Sequence, residues 1–148
     1  MRTRSGIVAI SLAMLLTLVV TSGGCSTRRI TFVDEGATYG KDTAPMLLDT
    51  LDISALSSKS TSDSVTLRHD ALTDLRAQGD SAAGVADMLT KTFSADMRGV
   101  PVYVERASFE GKPAVILVEA TGPRGSTLAT KRLWVLDEQG GVLFVASR

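Results

Sequence analysis

One cysteine, Cys25, and one histidine, His69, are all that the 148 residues hold of two common metal-binding side chains. A single thiol cannot close an internal disulfide or build a cysteine-based zinc site. A single imidazole cannot by itself make a typical metal centre. Excess charge is also missing, with 16 basic residues against 16 acidic ones. A nucleic-acid binder needs a basic stripe to displace counterions from phosphates, so that class is set aside. No block of like charge marks an acidic or basic tail. The length fits one small domain with extensions.

What is present first is a leader. Arg2 and Arg4 precede an uncharged run of fourteen residues, Ile7 to Val20, and then the small and polar stretch Thr21 to Gly24. A basic start, a short apolar run and small residues form the pattern of a secretory signal. Fourteen residues rise about 21 Å as a helix, short of a hydrocarbon core of about 30 Å. An uncleaved anchor would need the helix to continue through Thr21, Ser22, Gly23 and Gly24, which are poor helix formers.

The stretch "TSGGC", ending at Cys25, resembles the lipobox of bacterial lipoprotein signal peptides. Ser22 stands where that family usually has a branched aliphatic residue. The resemblance covers residues 1–25 only and implies cleavage after Gly24 and a diacylglycerol thioether on Cys25. It implies a protein of the cell membrane, lipid-anchored on the extracytoplasmic side. Two acyl chains hold a protein firmly where one binds marginally. Removing residues 1–24 leaves 14 basic and 16 acidic residues.

Residues 25–61 read as the lipidated N-terminus and a partly ordered tether. "RRITFVD", 28–34, can make a short strand, "EGATYGKDTAP" is turn-rich, and "SSKSTSDS", 57–64, is a polar lead-in. From 62 to 148 the pattern sharpens into a small domain. Leu67, Ala71, Leu72 and Leu75 recur at helical spacing as far as Gln78, and Gly79 fits the stop. Val85, Met88, Leu89 and Phe93 form the stripe of a second helix that ends at Asp96 to Gly99. After Gly99 the period falls to two. Strands are expected over 100–109, 113–120, 131–137 and 142–147, with turns at "EGK" and "EQGG". Two helices followed by a four-stranded antiparallel meander is an α+β architecture. A helix before a meander is also similar to PepSY-type modules, without a motif specific to them.

Candidate chemistry is sparse. "GDSAAG", 79–84, looks like the nucleophile block of GDSL-type hydrolases, but no Asp-x-x-His block follows it. A helix stop at Gly79 and a cap at Asp80 or Ser81 explain the same letters. His69, Asp70 and Asp74 share a helix, and adjacent helical residues do not face each other. Asp34 with Glu35, and Asp49 with Asp52, are acidic pairs without the dense oxygen spacing of a calcium loop. "TGPRGST", 121–127, lacks the lysine and the following helix of a phosphate loop. No cofactor and no metal are expected, and no catalytic residue is assigned.

The apolar content of the sheet carries the remaining signal. A three-residue "EGK" loop would pair Phe109 with Pro113, and so Tyr103 with Glu119 and Val104 with Val118, leaving both glutamates outside. A two-residue loop would push Glu119 onto the valine side. Strands three and four are apolar on both parities, so one face holds more apolar area than water should see. Either residues 30–56 fold back over it, or Tyr103, Leu117 and Trp134 mark a partner surface. The expected function is that of a lipid-anchored, non-catalytic protein- or envelope-binding domain, its partner another envelope protein or a second copy. The alternatives are a carrier of a small apolar ligand and a small carboxylate-based hydrolase.

Overall fold

The computed structural model describes residues 30–94 and 97–148. Gly24, Cys25 and the whole leader lie outside the described residues, as does Asp96. The chain runs β1 (Thr31–Val33), β2 (Thr38–Tyr39), a 3-10 turn, α1 (Leu47–Thr50), α2 (Ser54–Ser57) and a second 3-10 turn. Then follow α3 (Ser64–Arg76), α4 (Asp80–Thr92), β3 (Val100–Phe109), β4 (Lys112–Thr121), β5 (Thr130–Leu136) and β6 (Val142–Ser147).

The fold is α+β. Its sheet is larger than the expected meander and mixed: β3 to β6 run antiparallel in chain order, and β1 and β2 add to β3 in parallel. β1 lies along Tyr103–Glu105 and β2 along Ser108–Phe109, on the same edge of β3. The sheet therefore takes in residues ahead of the boundary expected at 62, and Ile30 is itself buried. Residues 30–61 are part of the body because β1 and β2 complete the sheet while Ala44 and Leu48 sink into its core.

Two layers cover the sheet. On one face α3 and α4 pack Leu72, Leu75, Val85, Leu89 and Phe93 against Val104, Val115, Leu117 and Leu136. On the other, Ala44 and Leu48 meet Phe109, Ile116, Val118, Leu133 and Val135. A strand pair apolar on both faces needs both covers, which is why β4 is buried from Ala114 to Thr121. The helices start and stop on local chemistry. Ser60 accepts the Ser62 N–H ahead of α3, and Gly79 (φ 121°) breaks the chain between α3 and α4.

The register differs from the expected one. Phe109 pairs with Lys112, so the turn holds two residues, Glu110 (φ 53°) and Gly111 (φ 77°). Positive φ at both central positions is the type I′ hairpin, whose twist matches the strands it joins. Tyr103 consequently faces Val118, Val104 faces Leu117, and an extra residue at Val102 bulges β3. Glu119 lands on the helix face, on the side of Val104.

Candidate functional site

Two buried carboxylates organise the two faces. Glu119, on β4, is fully buried beneath α3. Its Oε1 accepts Arg68 Nη1 at 2.8 Å, and its Oε2 accepts Trp134 Nε1 at 2.8 Å. Nη1 also donates to the Gly99 carbonyl at 2.8 Å. The guanidinium lies 5.5 Å from the Phe93 ring centre, and Phe93 lies 5.2 Å from Trp134. Because Trp134 occupies Oε2, the pair is not the two-pronged fork that arginine and a carboxylate prefer. Arg68 Nη2 is left buried with no hydrogen-bond partner among the described residues.

Glu105, on the opposite face, is 2% exposed. Its Oε2 accepts the hydroxyls of Tyr39 at 3.0 Å and Tyr103 at 2.8 Å, and its Oε1 accepts the Ala37 N–H at 2.8 Å. Burial first, and then the hydrogen bond and charge of Glu105, push the Tyr39 phenol up to about 12. The same causes raise Tyr103 further. A buried carboxylate is tolerable when several donors converge on it. Here they also latch the segment 37–39 onto β3.

The residues singled out as a partner surface do not share one. Leu117 is fully buried under the helices with Val104, and Trp134 packs beside it against Phe93. Tyr103 lies on the other face, tied to Glu105. That correction follows from the one-residue shift in register, which exchanges the faces of a whole strand. The excess apolar area is covered by residues 30–56, the other expectation for that face.

The remaining candidates are partnered locally. Ser81 donates to Asp34 Oδ1 at 2.6 Å, and Arg106 reaches the same oxygen at 3.2 Å. All three sit at an open surface, so the "GDSAAG" serine joins α4 to the end of β1. Asp49 pairs with Arg148. Asp52 accepts both the N–H and the hydroxyl of Ser54. The loop 121–127 docks on residues 59–61 through Thr61 N–H to Ser126 O and Leu128 N–H to Lys59 O. His69 is exposed on α3, at the rim of a groove against α4. Among the described residues no group of three or more His, Cys, Asp and Glu could hold a metal ion, and no helix is long and apolar enough to cross a membrane.

One surface feature was missed in the sequence. Lys131 and Arg148 exchange both backbone hydrogen bonds, at 2.7 and 2.9 Å. Alternation along β6 then turns Phe144 and Ala146 toward β5, and turns the N–H and C=O of Val145 and Ser147 outward, while a register shift opposite Leu136 interrupts the ladder at Leu143. Val142, Leu143 and Val145 are exposed large apolar residues on this same edge strand. "VLFVAS" carries no charge and no proline, the usual devices that blunt an edge. The signal was in the sequence, but an edge is defined by pairing order, which a single strand does not encode.

Comparison of the chain with protein-family models, with curated proteins and with solved structures returned no match. The functional reading therefore rests on the chain's own residues.

Proposed function

We propose that this chain is a lipoprotein anchored through Cys25 on the extracytoplasmic side of the cell membrane, and that its domain binds another envelope protein rather than catalysing a reaction. The anchor reading is supported by the lipobox-like "TSGGC" after a charged start and a short apolar run. The binding reading is carried by the outer edge of β6, which pairs with no further strand among the described residues. Two residues with outward backbone groups, Val145 and Ser147, beside exposed Val142, Leu143 and Val145, offer what an added strand needs: main-chain pairing and apolar contacts. The occupant is an extended, largely uncharged segment of a neighbouring envelope protein.

The binding reading is favoured over a carboxylate hydrolase because the two buried glutamates are spent on structure, Glu119 on Arg68 and Trp134, Glu105 on two tyrosines. The test is Val145→Lys in the membrane-tethered chain. A charge on that edge should reduce recovery of the crosslinked partner at least tenfold while the melting temperature stays unchanged. Undiminished recovery would place docking elsewhere. An adduct consisting only of two copies of this chain would replace the envelope partner with self-association.

A further inference from the structure

Between α3 and α4 lies a groove of about 200 Å³ lined by Val65, Arg68, Leu72, Thr90 and Phe93, with His69 and Ser94 also on its wall. Most of its wall is hydrocarbon. Thr90 is already committed, donating to Ala86 O at 2.7 Å and accepting Arg76 Nη2 at 2.9 Å. Arg68 is not fully committed. Its side chain is 6% exposed, yet Nη2 has no partner among the described residues. Leaving a buried donor unmet is costly, so native proteins rarely do it without a use.

His69 lies exposed at the rim, so the charges beside the buried donor itself narrow what could meet it. The positive charge of Arg68 is already matched by Glu119 at 2.8 Å. An incoming anion would gain attraction from Arg68 but meet repulsion from the carboxylate behind it. A cation has no acceptor to offer. A neutral carbonyl oxygen satisfies Nη2 without disturbing the ion pair. We propose that the groove binds a small uncharged molecule that presents a carbonyl oxygen to Arg68 Nη2 and a compact apolar body to Val65, Leu72 and Phe93. The volume is below the usual range for drug-sized ligands, so the body is limited to roughly ten heavy atoms. This site is separate from β6 and stands whether or not β6 docks a partner.

Trp134 is the only tryptophan of the chain. It touches Phe93 and shares Glu119 with Arg68, so its fluorescence reports on the groove. Three probes with one cyclohexyl body test the head group in the full chain held in detergent: N-cyclohexylacetamide, cyclohexanecarboxylate and cyclohexylammonium. The amide should give a saturable change with a dissociation constant of roughly 1 mM, as expected for a fragment of that size. The carboxylate should bind at least tenfold more weakly and the ammonium not at all. Val65→Phe, which fills the groove from its exposed rim and leaves Arg68 and Glu119 intact, should abolish the amide response at an unchanged melting temperature. Tighter binding of the carboxylate would overturn the proposal in favour of an anion site. No saturation by the amide would overturn it by leaving Nη2 to water. An unaltered response in Val65→Phe would overturn the location.

Discussion

Glu119 and Trp134, on adjacent strands, are joined by an N–H to carboxylate hydrogen bond of 2.8 Å. That bond fixes which oxygen is left for Arg68 and so holds α3, β4 and β5 in one arrangement. Removing the charge of Glu119 alone leaves a buried guanidinium without its counterion. Glu119→Gln should therefore cost about 3–5 kcal/mol, the usual penalty for breaking a buried pair from one side. The double change Arg68→Met with Glu119→Leu should recover most of that loss. Denaturant unfolding followed by Trp134 fluorescence measures both.

The Glu105 latch gives a pH dependence with a definite sign. Tyr39 and Tyr103 are the only two tyrosines in the chain, and both phenols are raised from 10.0. A folded value above the unfolded one means the stabilisation is complete below pH 10.0 and is lost as the pH rises through the folded value, about 12 for Tyr39. Tyrosinate absorbance should show no titration near 10.0 until the protein unfolds. Glu105→Gln removes the charge that opposes ionisation and should bring both titrations down.

Each buried carboxylate is backed by a glycine. A β-carbon on Gly99 would collide with the Glu119 carboxylate, and one on Gly36 with Glu105. Gly99→Ala and Gly36→Ala should each destabilise by about 1–3 kcal/mol, the cost of overpacking. Gly84, inside α4 with open space around it, is the contrast. Gly84→Ala should stabilise by about 0.5–1 kcal/mol through helix propensity. Thermal unfolding of the three variants tests the sign of each.

The two long helices and the order β3 to β6 were legible because each has enough residues to display a period. Leu72, Leu75, Val85 and Leu89 do so at helical spacing, and Val100 to Val104 and Leu133 to Leu136 within strands. The short strand read at 28–34 holds β1, but its parallel pairing with β3 and the whole of β2 were not legible, since three and two residues carry no period and β2 is held by the Glu105 latch far away in sequence. The turn after Phe109 was misjudged because Glu110 adopts a positive φ that asparagine, aspartate or glycine would have announced. That single residue of register moved Glu119 from water to the core. It also dissolved the surface expected at Tyr103, Leu117 and Trp134. Arg68 was not singled out, since nothing local signals a partner fifty-one positions away.

The anchor is tested separately from the fold. Cys25→Ala should leave full-length precursor and abolish labelling by a radioactive or clickable fatty acid. Wild-type processing and labelling in that variant would remove the lipobox from the account.

The most direct test of the binding account is photocrosslinking in the protein's own cells. The crosslinking residue is placed in turn at Leu143 and Val145 on the β6 edge, and at exposed Lys112 as the control. The account predicts one membrane-fraction adduct from both β6 positions and none from Lys112. Mass spectrometry should map the adduct to an extended, weakly charged segment of another envelope protein. No adduct from β6, or the same adduct from all three positions, would contradict it.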